Sequence, residues 1–134
     1  MENSPEERIV FFDGVCHLCN GFVDLVIKND PQHRLLFAPL QGETAKNLLP
    51  SSYLEDLSTV LFWDQGQVYK ESEAVLRILR QLPRYQVLAR LLGLFPRFVR
   101  DFMYKKIARH RYRLFGERDF CRMPTPEEKS YLLP

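Results

Sequence analysis

Cys16 and Cys19 are separated by two residues in the run Asp13-Gly-Val-Cys16-His-Leu-Cys19. Two thiols at that spacing can do two kinds of chemistry. They can exchange with disulfides, one as attacking thiolate and the other as the thiol that resolves the mixed disulfide. They can also supply half of a structural zinc site, which usually wants a second pair of ligands. The further candidates are Cys121, His17, His33 and His110, and they form no such pair. Redox exchange is the expected use, with Cys16 as nucleophile and Cys19 as resolving thiol. No metal and no organic cofactor is expected. A zinc- or partner-binding module without turnover is the alternative.

Local elements must position these thiols. Arg8-Ile-Val-Phe-Phe12 has the composition of a buried strand and ends at Asp13-Gly14. Phe22, Val23, Val26 and Ile27 follow at helical spacing. The cysteines therefore sit where a strand passes into the first turn of a helix. Free backbone N–H groups and the positive end of the helix dipole favour an anion there, and for cysteine that anion is the reactive thiolate. Three residues are slightly less than one helical turn, so the two thiols share a side and can close a small ring. The first cysteine is expected nearest the solvent, and the second a turn deeper and more buried. Asp13 has two expected roles, which are not exclusive. It can take a proton from Cys19 during resolution, or cap the helix through a side-chain oxygen. His17 reads as a variable exposed residue, and Cys121 as a bystander.

Asp13-Gly-Val-Cys16-His-Leu-Cys19-Asn-Gly-Phe resembles the signature of the DCC-type thiol-disulfide oxidoreductases, a family named for its Asp-x-x-Cys-x-x-Cys run. Leu36-Phe-Ala-Pro-Leu-Gln41, Tyr69-Lys-Glu-Ser-Glu-Ala-Val75, Arg109-His-Arg-Tyr-Arg-Leu-Phe-Gly116 and Cys121-Arg-Met-Pro124 are similar to later family segments. The likeness runs from about Arg8 to about Tyr131. It implies a thioredoxin-like fold, disulfide exchange and a functional Asp13. Thioredoxins carry a proline just before the third strand, and Tyr53-Leu-Glu-Asp-Leu-Ser58 has none. The substrate groove is therefore expected to differ from that of thioredoxin.

The remaining elements fit that fold class. Asp30-Pro31 stops the first helix, because a residue before proline resists the helical conformation. Residues 34–38 read as a second strand, 41–49 as a short helix, and Pro50-Ser-Ser as a break. Residues 58–63 and 67–70 read as strands joined by Asp64-Gln-Gly66, a hairpin signal. Ser72 is the expected N-cap of a helix reaching about Leu82. The order β-α-β-(α)-β-β-α defines an α/β, thioredoxin-like core over residues 8–82. Helices over 84–116 are expected to pack on it, with Phe98, Phe102, Met103, Ile107 and Leu114 on one side completing the core. Residues 117–134 form a tail, and the whole of 1–134 reads as a single domain.

Composition narrows the function classes. No apolar run is long enough to span a membrane. The start, Met-Glu-Asn-Ser-Pro-Glu-Glu, is unlike a signal peptide, so a cytoplasmic address is expected. Three cysteines do not make a disulfide framework. The net charge of +2 hides an asymmetry. Residues 1–76 balance to −7 and residues 77–122 to +10. Arginines and lysines spaced through amphipathic helices usually form a solvated face, so nucleic acid is not an expected partner. The expected partners are a disulfide-containing protein or small thiol substrate, and an electron donor that re-reduces the pair.

Overall fold

The computed structural model describes residues 8–30, 34–54, 60–116, 126 and 131–133. The strands are β1 (Arg8–Phe12), β2 (Leu36–Pro39), β3 (Leu61–Asp64) and β4 (Gln67–Lys70). The helices are α1 (His17–Lys28), α2 (Glu43–Leu48), α3 (Ser51–Leu54), α4 (Glu71–Arg80), α5 (Gln86–Gly93) and α6 (Arg97–Phe115). A 3-10 turn, Pro83–Tyr85, leads into α5.

The sheet order is β2-β1-β3-β4. β1 pairs parallel with β2, and β3 pairs antiparallel with both β1 and β4. This is the thioredoxin-like arrangement that the element order implied. Side chains of a strand alternate between the faces of its sheet. Val10 and Phe12 join one core with Val23, Val26, Phe62 and Ile78, beneath α1 and α4. Ile9 and Phe11 join the other with Ala38, Ala45, Leu49 and Leu61, beneath α2. β1 is thus covered on both faces, which is why its sequence is an unbroken apolar run.

Several local expectations change. Gln65 and Gly66 both take positive φ, 53° and 90°, which makes a tight two-residue hairpin turn. The strand before it begins at Leu61, and residues 55–59 lie outside the described residues. The break expected at Pro50-Ser-Ser instead opens α3 at Ser51. Ser72 is not an N-cap. α4 starts two residues earlier, with Lys70, the last residue of β4, at the cap position, and Glu71 absorbs the turn at φ 58°. That left-handed conformation costs a non-glycine residue about 1–2 kcal/mol.

Within the expected tail, residues 131–133 return to the outer edge of β2. The Phe37 N–H donates to the Tyr131 carbonyl at 2.8 Å, and the Leu133 N–H donates to the Phe37 carbonyl at 2.6 Å. Leu132 is buried in the core beneath α1 and α4. The return covers an edge that would otherwise offer free pairing groups.

α6 docks by polar anchors. The Ser72 hydroxyl donates to Asp101. Arg100 lies 3.6 Å from Glu73, and Lys105 lies 3.9 Å from Glu71. The Val60 N–H donates to the Tyr104 hydroxyl at 2.7 Å. The apolar side expected to complete the core faces outward instead. Phe98 is 75% exposed, Phe102 67%, Met103 59% and Ile107 49%. The Leu114 side chain lies outside the described residues.

Burial pushes the Asp101 carboxyl up, but the Ser72 hydroxyl and backbone N–H, with the Arg97 guanidinium, outweigh it and hold it below its ordinary value of 3.8. A depressed folded-state pKa gives stability that is complete above the unfolded pKa and is lost as pH falls through the folded one. Asp101→Asn should therefore flatten the acid limb. Between about pH 5 and pH 2 its unfolding midpoint is expected to fall less than that of the parent in a denaturation series. An unchanged acid slope would remove Asp101 from the docking of α6.

Candidate active site

The site is built at the end of β1. Phe12 is the last strand residue, and its carbonyl accepts from the Leu40 N–H at 2.7 Å. That bond draws the end of β1 against the segment leaving β2. Parallel neighbours bring their carboxyl ends to one edge, the usual place for a site in such sheets. The chain then turns, with the Cys16 N–H donating to the Asp13 carbonyl at 3.2 Å. Asp13 is 1% exposed. Its Oδ1 accepts from the Val15 N–H at 3.1 Å and from Gln41 Nε2 at 2.7 Å. Gln41 Oε1 in turn accepts from the Gly14 N–H at 3.0 Å. The Gln41 amide thus brackets the turn, using both its ends on adjacent residues.

Cys16 occupies the N-cap position of α1 with extended backbone, φ −84° and ψ 125°, and no side chain caps the helix. Asp13 is therefore not the cap. Its side chain closes the loop two residues on, an Asx turn ahead of the helix. From within α1, Asn20 Nδ2 donates to the Gly14 carbonyl at 2.8 Å and to the Cys16 carbonyl at 2.9 Å. Asn20 is 5% exposed. Its side chain gives the Gly14 carbonyl a donor and the Cys16 carbonyl a second one beside the Asn20 N–H.

Cys16 and Cys19 are not joined in a disulfide. The expected order of exposure is reversed. Cys16 is fully buried, and Cys19 is half-buried against the core. The reason is helical phase. Position 16 lies one turn before Asn20 and about two turns before Val23, and both belong to the buried stripe of α1. The first position of the helix is first in sequence, not outermost in space.

His17 is exposed as expected, but it is not idle. Its backbone N–H donates to the Gly116 carbonyl at 3.3 Å. Gly116 closes α6 with φ 86°, and a Cβ there would stand 3.2 Å from His17 Cδ2. The positive φ favours glycine here, and a Cβ would crowd the His17 ring. The end of α6 is thereby tied to the first turn of α1. Cys121 and His33 lie outside the described residues. Among the described residues no three His, Cys, Asp or Glu side chains gather to hold a metal ion.

Gln41, Asn20 and Gly116 received no role from the sequence alone. A signal existed for two of them. Gln41 follows the strand expected to run parallel to β1, so its segment had to end beside Asp13. Asn20 is a polar residue at helical spacing on the stripe of Val23 and Ile27, where burial demands hydrogen-bond partners. Gly116 was legible as the glycine just past the last helix, which is where it stands, but its contact with His17, about a hundred residues away in sequence, was not.

A mixed sheet with a cysteine pair opening its first helix defines a thioredoxin-like protein. Comparison with known proteins gives the family. The model of the DCC1-like thiol-disulfide oxidoreductases matches residues 10–117, and the chain belongs to that family. It is 40% identical over 129 residues to the uncharacterized protein YuxK of Bacillus subtilis (strain 168), covering 95% of this chain and 94% of that one. It is 42% identical over 119 residues to a chloroplastic DCC family protein of Arabidopsis thaliana, covering 86% of this chain and 69% of the other. No solved structure matches. The family supports a thiol-disulfide oxidoreductase role for the chain.

Proposed function

We propose that the chain reduces disulfides through Cys16 and Cys19, acting as a single domain in the cytoplasm. The observation that carries this is Cys16 at the N-cap of an otherwise uncapped α1. Ser, Thr, Asp or Asn at that position accepts from the first helical amides. Cys16 holds that position here, its sulfur placed where the first helical amides have no side-chain acceptor. In the first step the thiolate attacks a substrate disulfide, a sulfur–sulfur bond forms to Cys16, and the other half leaves as a thiolate. Cys19 then gives up its proton and attacks Cys16 sulfur. The Cys16–Cys19 disulfide forms and the second substrate thiolate departs. The substrate gains two electrons and the pair loses two, which an external dithiol or other donor must return.

Asp13 is the proposed acceptor of the Cys19 proton. Attack by Cys16 also needs a local opening, because its sulfur is buried. The substrate is a disulfide-containing protein or small thiol compound.

The test is equilibration of the protein in graded redox buffers, with thiols counted by alkylation and mass spectrometry. A single two-electron transition between Cys16 and Cys19 is expected, with a midpoint between about −270 and −120 mV, the span of related dithiol proteins. Catalysed reduction of a model disulfide by dithiothreitol should accompany it. Absence of that transition, together with one-to-one zinc that survives dialysis and unfolding on chelation, would favour the binding-module alternative.

A further inference from the structure

The α5–α6 hairpin exposes bulky apolar side chains that a water-facing surface does not need. Leu94, in the turn between the helices, is 80% exposed, Phe98 75%, Val87 69%, Phe102 67% and Leu91 54%. Bulky apolar side chains exposed in such number on two consecutive helices point to an interaction surface. The polar side of α6 is already spent on docking through Arg100, Asp101 and Tyr104. The outward side thus leaves Phe98 and Phe102 in solvent instead of in a core.

The same face is basic. Phe98 and Phe102 share one side of α6 with Lys106, Arg109 and Arg113, all exposed. Arg84, Arg90 and Arg97 flank α5 and the turn, and are exposed too. Residues 77–116 hold eleven Lys and Arg and one acid, Asp101. That acid is engaged by Arg97 at 3.5 Å and by Ser72. An open apolar groove of about 310 Å³ runs between α4, α5 and α6, and Phe95, Met103 and Ile107 belong both to it and to the exposed face.

We propose that this hairpin is a peripheral membrane-binding surface that selects anionic lipid. Apolar residues at the tip enter the boundary between headgroups and acyl chains, and the Lys and Arg behind them meet the phosphates. The groove gives an acyl segment apolar room. Charge argues for this occupant over the others. A second copy meeting the face symmetrically would set Lys and Arg against Lys and Arg. A nucleic acid would use the basic residues but has no use for exposed Leu91, Leu94 and Val87. The acidic half of the chain, −7 over residues 1–76, turns the basic half toward a negative surface. No described helix is long and apolar enough to cross the membrane, so the contact is with its surface.

Flotation of the purified full chain with vesicles tests this. Binding is expected to vesicles of phosphatidylcholine with one-quarter phosphatidylglycerol, and to be at least about tenfold weaker for phosphatidylcholine alone. Raising the salt severalfold should weaken it. Phe98→Ser with Phe102→Ser should lower the partition at least about tenfold while thermal stability and disulfide exchange stay at parental values. Lys106→Glu with Arg109→Glu should abolish the preference for anionic lipid. Equal partition of parent and both variants would overturn the proposal. So would a dimer in sedimentation analysis that Phe98→Ser with Phe102→Ser dissociates. Oligonucleotide binding lost in the Lys106 and Arg109 variant, without vesicle binding by the parent, would reassign the face to nucleic acid.

Discussion

Cys16→Ser should reduce disulfide exchange on the order of a thousandfold or more, to the uncatalysed background, because the nucleophile is gone. Cys19→Ser should also fail to turn over, but for another reason and with another product. It should attack a disulfide once and stall as a covalent adduct on Cys16. Mass spectrometry of the two variants after incubation with a model disulfide separates the cases. The comparison is sharp here because exposure and electrostatics favour different thiols. Cys16 has the N-cap position, while Cys19 is the more accessible of the two. Adducts on Cys16→Ser, and none on Cys19→Ser, would exchange the two roles. If Cys16 is the nucleophile, its alkylation in the folded protein should be limited by opening of the buried site. The rate should then plateau as reagent is raised.

The bracket around Asp13 should give the second largest effect. Gln41→Ala removes one partner from the buried Asp13 carboxylate and one from the Gly14 N–H. Asp13 keeps the Val15 N–H, so the Gly14 N–H is the group left bare, and a loss of about 1–3 kcal/mol is expected in denaturant unfolding. Asp13→Asn keeps the oxygen that accepts from Val15 and Gln41, so the turn should survive. It cannot take up a proton at neutral pH. If Asp13 accepts the Cys19 proton, release of the reduced substrate should slow by about 10²–10⁴-fold, the usual reach of a general base. Release unchanged from pH 6 to 9 would leave Asp13 a purely structural residue. A double-mutant cycle of Asp13→Asn and Gln41→Ala then measures their coupling. A coupling near zero would contradict the 2.7 Å bond between them.

Much of this protein could be read before any coordinates. The unbroken apolar run of residues 9–12 required a strand covered on both faces, and two separate cores cover it. The spacing of Val23 and Val26 required α1, and the Gln65-Gly66 pair required a tight hairpin. Parallel pairing of β1 with β2 followed from the helix between them. Each of these rests on local periodicity or local backbone preference, which the chain carries in a few consecutive residues. The Cys16 and Cys19 motif belongs to this class too, since its place at a strand-to-helix junction depends on nearby residues alone.

What the tertiary structure decided depends on residues far apart. Which thiol is buried depended on the rotational phase of α1 against the sheet, and that phase is set by Asn20 and Val23 seating on their partners. Whether Asp13 caps a helix or closes a turn was decided by Gln41, 28 residues away. The face that α6 presents inward was decided by Ser72, Glu73 and Val60, whose polar groups took Asp101, Arg100 and Tyr104. An amphipathic pattern says that two faces differ. It does not say which face a neighbour will meet, because a helix that brings hydrogen-bond partners to buried polar groups can dock by its polar side. That choice left Phe98 and Phe102 in solvent among lysines and arginines, and no periodicity in the sequence marked it.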